Sequence, residues 1–273
     1  MRQIAVSTVI ALAVLATGSR LEAQTLKVDY DITLAGLSLG TADLSSTFEG
    51  SRYKMLAAVK LSGLAKMLTG GKGAATANGA IAGPRPQPAA FAVTSRSSSD
   101  QRTVRMGLTS GNVAAVEITP PIDEKPDRVP VKDGDKLGVV DPVSALLMPA
   151  MASGDLMNAA NCNRTIPVFD GAARFDVVLS YDGTKTVDKV GYKGPVLVCK
   201  ARYIPISGHR SLRPATKFME ENKDMSVWLA PLTAQRVLVP LRIAVRTMVG
   251  LSVVEASRWA MEGNAKVVPI SLD

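Results

Sequence analysis

The sequence predicts an all-β protein with one or two short helices, in which roughly a dozen or more strands form a curved antiparallel sheet, a β-spiral or half-open barrel. Three observations lead to this prediction. Apolar and polar residues alternate with a period of two along most of the chain after residue 23, as in strands with one buried face. Turn signals rich in glycine, proline and aspartate separate these segments at short intervals. No fixed-period repeat is visible, which argues against a propeller or a solenoid.

Residues 1–23 have the pattern of a cleavable secretory signal peptide. Arg2 supplies a positive charge, residues 4–16 are almost continuously apolar, and Ala23 provides the small side chain at the cleavage point. The apolar run is too short to span a bilayer, and no later segment is long and apolar enough to do so. We therefore predict an exported, periplasmic protein whose residues 24–273 form a single domain. The alternative is a buried N-terminal helix.

The first half of the exported chain consists of strands and turns. The predicted strands are 27–34, 41–48, 53–61, 73–82, 91–96, 102–108 and 113–118. Between them, residues 64–68 are predicted to form one helical turn, and the proline-rich residues 83–88 a rigid extended connector. A second proline-rich and charged stretch, 119–137, is predicted to be an exposed loop.

The second half opens with a predicted helix and then returns to strands. Asp141 has the position of an N-cap and Pro142 that of the first helical residue, which predicts a helix over 143–151. Asp170-Gly171 and Asp182-Gly183 are predicted hairpin turns, because glycine accepts the positive φ of a tight turn. The predicted strands are 164–168, 174–181, 186–190, 196–203, 225–230, 236–247 and 251–261.

Cys162 and Cys199 are the two cysteines of the chain. An even number of cysteines in an exported protein predicts a disulfide, and the pair lacks the CxxC spacing of a redox or metal site. On the chain-entropy model, closing a loop of this length stabilises the fold by about 3–4 kcal/mol.

Residues for catalysis or metal binding do not form a recognisable constellation. His209 is the single histidine and lies in a polar loop without a nucleophile elbow, so neither a Ser-His-acid site nor a zinc site is predicted. Asp133-Gly134-Asp135 lacks the rest of a calcium loop and is predicted to be a charged turn. The sequence therefore predicts no catalytic residue, no metal and no cofactor.

Acidic side chains are the remaining candidates for catalytic residues. Paired carboxylates can carry out glycoside hydrolysis, and Asp170, Asp176 and Asp182 lie near one another in sequence, but Asp170 and Asp182 precede glycine and are better explained as turn residues. No phosphate-binding glycine loop is present. We predict that the protein is not an enzyme.

The net charge is +8, and removal of Arg2, Arg20 and Glu22 with the signal peptide lowers it to +7. A basic exported protein is suited to peripheral contact with an anionic envelope surface. The cations are scattered rather than clustered in a run, so nucleic-acid binding is not predicted. The densest group, broken by glycine and proline, is Lys193, Lys200, Arg202, His209, Arg210, Arg213 and Lys217. A solvated basic face explains it best.

A series of short motifs resembles the exported bacterial family known as domain of unknown function 3108. In order, the motifs are Tyr30-Asp31-Ile32, Gly36-Leu37-Ser38-Leu39-Gly40, Gly63-Leu64-Ala65-Lys66-Met67-Leu68, Asp141-Pro142-Val143-Ser144-Ala145-Leu146, Val168-Phe169-Asp170-Gly171 after Cys162, Gly191-Tyr192-Lys193-Gly194-Pro195 before Cys199, Tyr203-Ile204-Pro205-Ile206-Ser207-Gly208 and Trp228-Leu229-Ala230-Pro231. The resemblance covers nearly the whole exported chain. It implies an envelope protein with a wound antiparallel β architecture and no established reaction. In outline the chain is also similar to periplasmic β-spiral envelope-stress proteins and to half-open barrels that carry lipoproteins or lipids.

Three functional hypotheses follow. The first is a non-catalytic periplasmic protein with a binding or structural role in the cell envelope, where it contacts a protein or polymer partner. The second is a carrier of a lipid or another apolar ligand inside the curved sheet, because aliphatic residues and 11 methionines are suited to lining an adaptable cavity. In this second hypothesis residues 64–68 and 143–151 plug or gate the cavity. The third is a hydrolase or other enzyme that uses His209, Asp170 and nearby arginines.

Overall fold

The computed structural model describes residues 23–63, 71–98, 100–151 and 154–263. The predicted signal peptide, apart from its last residue, and the predicted helical turn at 64–68 lie outside these ranges. The described strands are β1 (Gln24–Leu34), β2 (Leu37–Glu49), β3 (Arg52–Leu61), β4 (Lys72–Ile81), β5 (Pro86–Arg96), β6 (Gln101–Thr109), β7 (Asn112–Thr119), β8 (Met148–Pro149), β9 (Arg164–Phe169), β10 (Arg174–Lys189), β11 (Tyr192–Ser207), β12 (Met225–Leu232), β13 (Val237–Thr247) and β14 (Gly250–Gly263). One α-helix, α1 (Pro214–Glu221), connects β11 and β12.

All of these strands belong to one antiparallel sheet, which confirms the predicted fold class. Its order is β7-β6-β5-β4-β3-β2-β1-β14-β13-β12-β11-β10-β9, with β8 paired to β13. The sheet is therefore two meanders, β1–β7 and β9–β14, joined by the pairing of the first strand with the last. This junction runs from Gln24 opposite Gly263 to Leu34 opposite Ser252. The sheet does not close, and β7 and β9 are its two edges.

The segment between the two meanders partly bridges these edges. The amide of Val139 donates to the carbonyl of Gly111 in the β6–β7 turn at 2.7 Å. The next residue, Val140, exchanges hydrogen bonds with β9: its amide donates to Pro167 at 2.9 Å, and its carbonyl accepts from Phe169 at 2.9 Å. The chain thus covers the β9 edge with its own backbone, which is a common way to protect an edge strand.

The predicted helix over 143–151 is wrong. Ser144–Leu146 form a single 3-10 turn, and Met148–Pro149 form a two-residue strand paired with Val237 and Leu238 of β13. Asp141 does cap this turn: its Oδ1 accepts from the amides of Val143 at 3.0 Å and Ser144 at 2.8 Å. The helix does not continue because the backbone after Leu147 is used in the sheet and Pro149 has no amide hydrogen to donate.

Three further differences concern local signals. Asp182-Gly183 is not a turn but lies at a β-bulge inside the 16-residue strand β10, which joins the predicted strands 174–181 and 186–190. Residues 86–88 of the predicted connector pair with β4 as the start of β5. Helix α1 was not predicted, because it is short and polar and none of its residues is buried. Asp170-Gly171 does form the predicted turn, between β9 and β10.

The predicted disulfide between Cys162 and Cys199 is present, with the two Cα atoms 5.6 Å apart. Both cysteines are fully buried, and they lie in an apolar cluster with Leu156, Val227 and Leu229. The bond fixes the irregular segment before β9 to the centre of β11. It therefore supports the packing of the second meander.

We expect the Cys162→Ala/Cys199→Ala double variant to be less stable than the wild type by about 3–4 kcal/mol, because its unfolded chain regains the entropy of a 37-residue loop. Urea unfolding of both proteins measures the difference. Wild-type protein unfolded in a strong reductant should follow the variant's curve. Equal stability of the oxidised wild type and the variant would contradict the prediction.

Candidate binding cavity

The concave face of the sheet is buried at one end of the strands and partly exposed at the other. On β1, Leu26, Val28 and Tyr30 are buried, whereas Ile32, two residues further along the same face, is only half-buried. On β3 the burial falls in the same direction, from the fully buried Met55 to Val59, which is 38% exposed. We call the end with the β2–β3 turn the closed end, and the end with the β1–β2 and β13–β14 turns the open end.

The closed end is filled by residues 139–148, which we call the plug. Val139, Val143 and Leu147 pack into the main core, which is lined mainly by the first meander. Val140 and Met148 pack against the second meander in the other apolar cluster. The plug therefore lies inside the curved sheet with both of its sides buried. A helix with only one apolar face would not satisfy this packing.

Two buried tyrosines donate hydrogen bonds inside the curved sheet, and one of them holds the plug in place. The hydroxyl of Tyr53 on β3 donates to Ser144 Oγ at 2.7 Å. The hydroxyl of Tyr30 on β1 donates to the carbonyl of Pro240 on β13 at 2.7 Å. This hydrogen bond crosses the intervening strand β14. Burial raises the pKa of both tyrosines above the usual value, so both hydroxyls stay protonated and act as donors.

Asp141 is the one acidic side chain among the described residues that has no exposed surface. Its Oδ1 accepts the two backbone amides of the plug, and its Oδ2 has no hydrogen-bond partner among the described residues. Burial is the largest influence and raises the pKa of this carboxyl above its usual range, against hydrogen bonds from Ser144 and Val143 that favour the charged form. The sequence showed the capping role of Asp141 but not its burial.

Between the plug and the second meander lies an apolar cleft of about 230 Å³. Its lining comes from the plug and from β9 to β13, and Ser226 on β12 is its one residue with a polar side chain. Side chains that define its walls include Leu146, Phe175, Val177, Met225, Ile243 and Val245. The lining also includes small side chains, among them Ala145 on the plug and Ala201 on β11. Half-buried Met225 and Val245, near the open end of β12 and β13, line the cleft on that side.

No hydrogen bond joins the side chains of His209 and Asp170, the two candidate catalytic residues, in the described part of the chain. His209 is half-buried in the loop after β11, where its carbonyl accepts from the amide of Val129 at 3.0 Å and its Nδ1 has no hydrogen-bond partner among the described residues. Asp170 Oδ1 accepts from the amides of Ala172 at 2.8 Å and Ala173 at 2.7 Å, as expected of a turn residue.

The other acidic candidates also have local partners. Asp176 pairs with Arg174 at 2.8 Å, and Asp182 pairs with Lys200 at 2.9 Å. In the charged turn, Asp135 accepts from the amide of Lys132 at 2.8 Å, and this hydrogen bond lowers the pKa of Asp135. Each carboxylate therefore stabilises its own turn or ion pair.

Cations of the predicted basic cluster are partly neutralised. Lys193 pairs with Asp188, Lys200 with Asp182 and Arg210 with Asp127, each at 2.9 Å. These pairs are largely exposed and contribute little to stability, but they reduce the local positive potential. The described part of the chain contains no helix that is both long and apolar enough to cross a membrane.

Residues 29–257 match the model of a family described as "Protein of unknown function (DUF3108)", and the chain belongs to this family. No curated protein matches the sequence. Among solved structures, the chain is similar to a crystal structure of a beta-barrel-like protein of domain of unknown function DUF1849 from Brucella abortus. The two chains are 10% identical, with a TM-score of 0.50, and the match covers 89% of this chain and 99% of the other. At this identity the similarity shows the fold alone.

We expect Asp141→Asn to remove a pH-dependent part of the stability. Burial raises the pKa of Asp141 in the folded protein, so the protonated carboxyl is favoured by folding. The contribution of Asp141 to the free energy of unfolding is therefore complete at low pH and is lost as pH rises from about 4. Asparagine keeps the Oδ1 acceptor and carries no charge, so the variant should be at least as stable as the wild type at pH 7. Urea unfolding between pH 4 and pH 8 gives both curves.

Asp141→Ala provides the matched control, because it removes the charge and the acceptor together. It should be about 1–2 kcal/mol less stable than Asp141→Asn, the usual cost of losing an N-cap side chain. Parallel pH profiles for the wild type and Asp141→Asn would show that the carboxyl is not perturbed in the folded state.

Proposed function

We propose that this protein is a non-catalytic periplasmic binding protein of the cell envelope that holds an apolar chain, of the class found in lipid acyl groups, in the cleft between the plug and the second meander. The observation that carries the proposal is the almost entirely apolar lining of this cleft. Sites for polar small molecules place several polar groups to orient the ligand. A cleft with a single serine hydroxyl offers no such set and suits a ligand without polar groups along its length.

The size of the cleft limits what it holds. Its volume of about 230 Å³ is below the range of roughly 300–1,000 Å³ that is typical of pockets for drug-sized ligands. It therefore accommodates a segment of an acyl chain rather than a whole lipid. The concave surface at the open end, including half-buried Ile32 and exposed Val59, offers further apolar area for the rest of the chain.

Packing energetics support an occupant. Protein interiors are close-packed, and side chains that face a void lose dispersion contacts on one side. Met225, Phe175 and Leu146 border the cleft without filling it, although long flexible side chains such as methionine fill gaps readily. An inserted chain restores these contacts and removes apolar surface from water.

The location in the periplasm is supported by the predicted signal peptide and by the disulfide, since disulfides persist in oxidising compartments such as the bacterial periplasm. The absence of catalysis is supported by the separate local roles of His209 and Asp170.

A protein partner is the second candidate, and the edge strand β7 favours it. Strand β7 pairs with β6 on one side and with no other described strand, whereas the other edge, β9, is covered by Val140. An unpaired edge offers main-chain donors and acceptors to an extended segment of another protein.

Native mass spectrometry of the protein purified gently from a periplasmic extract, followed by organic extraction, distinguishes the two candidates. A stoichiometric acyl or lipid adduct supports the cleft proposal and identifies the ligand. A clean ligand-free mass, under conditions that preserve known lipid complexes, contradicts it and directs the search to cross-linking at β7.

We expect Ala145→Phe to abolish binding of a fluorescent fatty acid, because the added ring projects into the cleft from the plug. Ala114→Phe, at an exposed position on β7, makes the same chemical change away from the cleft and should bind like the wild type. Fluorescence titration with probes of increasing chain length measures both. Unchanged affinity in a folded Ala145→Phe variant would show that the probe does not use the cleft.

A further inference from the structure

Two neighbouring turns at the open end expose large apolar side chains to solvent. Leu37, at the β1–β2 turn, is 72% exposed, and Met248 and Val249, at the β13–β14 turn, are 59% and 74% exposed. The turns lie side by side, because the amide of Ala35 donates to the carbonyl of Leu251 at 2.8 Å. Single exposed apolar residues are ordinary on protein surfaces, but three on adjoining turns form a cluster that calls for a partner. We call these three residues the apolar tip.

The charges around the apolar tip indicate which kind of partner the tip contacts. Residues 35–39 and 247–252, which form the two turns, contain no charged side chain. At the same end of the first meander, β3 and β5 carry the exposed cations Lys60 and Arg96, and Arg96 donates to the neutral side chain of Gln101 rather than to a carboxylate. Asp31 on β1 is an exposed acid at this end, and Arg246, next to the β13–β14 turn, pairs with Asp224 at 2.9 Å. An uncharged apolar protrusion on a chain with a net charge of +8 suits insertion into the interface of an anionic bilayer.

Strands β12 and β13 show how the apolar tip and the cleft lie relative to each other. Strands β12 and β13 run from the cleft towards the open end, where Met225 and Val245 pair with each other and both line the cleft. Asn222, the C-cap residue that follows helix α1, donates from Nδ2 to the carbonyl of Arg246 on β13 at 2.9 Å and so fixes the end of the helix beside this end of the sheet. A membrane that contacts the tip therefore faces the end of the sheet at which the concave surface is exposed.

We propose that the apolar tip docks the protein, with its open end facing the lipid, on an anionic phospholipid membrane, from which the cleft receives its acyl chain. The docking step rests on the geometry of the tip, and the transfer step rests on the function proposed above. The positive net charge of the chain attracts the protein to such a surface, and insertion of Leu37, Met248 and Val249 retains it there.

Vesicle flotation tests the docking step with the purified exported protein. The wild type should float with vesicles of phosphatidylglycerol and phosphatidylethanolamine, and it should float less with phosphatidylcholine vesicles or at high salt. The Met248→Asp/Val249→Asp variant should bind the anionic vesicles about tenfold more weakly or worse, because it removes the inserted apolar groups and adds negative charge.

A control variant makes the same chemical change elsewhere. Leu137 and Val190 are 59% and 70% exposed, outside the tip, so Leu137→Asp/Val190→Asp changes the net charge equally and should float like the wild type. Equal loss in both variants, or equal binding of the wild type to neutral and anionic vesicles, would overturn the proposal. The proposal would also be overturned if the wild type formed a dimer and bound no vesicles, while the tip variant was a monomer. A second copy of the chain would then be the partner of the tip.

Failure of docking and failure of the cleft give different results. The tip variant should still bind a fluorescent fatty acid from solution, and Ala145→Phe should still float with anionic vesicles. Probe binding by a wild type that does not float would overturn the docking proposal alone. Flotation of a wild type that does not bind the probe would overturn the function of the cleft and leave the docking surface in place.

Discussion

The pairing of the first strand with the last creates the concave side of the molecule. Strands β1 and β14 pair along almost their whole length, from Gln24 opposite Gly263 to Leu34 opposite Ser252. Without this ladder the two meanders would be separate sheets, and neither would enclose the plug. The entropic cost of closing so long a loop grows only with the logarithm of its length, so a ladder of this size is sufficient to offset it. The hydrogen bond from Tyr30 to Pro240 extends the connection across β14 to β13.

A joined and curved sheet has an apolar interior that must be covered, and the chain covers it with a segment that is itself largely irregular. The plug satisfies its own backbone by capping with Asp141, by the hydrogen bonds of Val139 and Val140, and by the short pairing of Met148 with β13. Buried irregular backbone is tolerated only when its polar groups find partners. Because the plug fills the closed end and stops there, the apolar surface beyond it remains accessible.

The predictions from sequence were reliable where local pattern decides structure and failed where tertiary contacts decide it. Alternation located the described strands of both meanders, and the two cysteines gave the disulfide. The Asp-Gly signal was correct at Asp170 and wrong at Asp182, because glycine serves a bulge inside a long strand as well as a turn. The helix at 143–151 failed because both sides of that segment are buried. The cleft was beyond sequence reasoning, because its walls come from five strands and the plug, whose registers no local pattern specifies.

The unfilled cleft is itself an argument about function. Larger side chains at Ala145 or Ala201 would fill the space with apolar atoms, and cavity filling is a common route to higher stability. Stability alone therefore gives no reason for small residues on both sides of one apolar space. The same holds at the open end, where polar residues in place of Met248 and Val249 would favour solubility. Small residues inside and apolar residues at the adjoining turns are both unfavourable for an isolated molecule, and both become favourable when an acyl chain and the surface that supplies it are present.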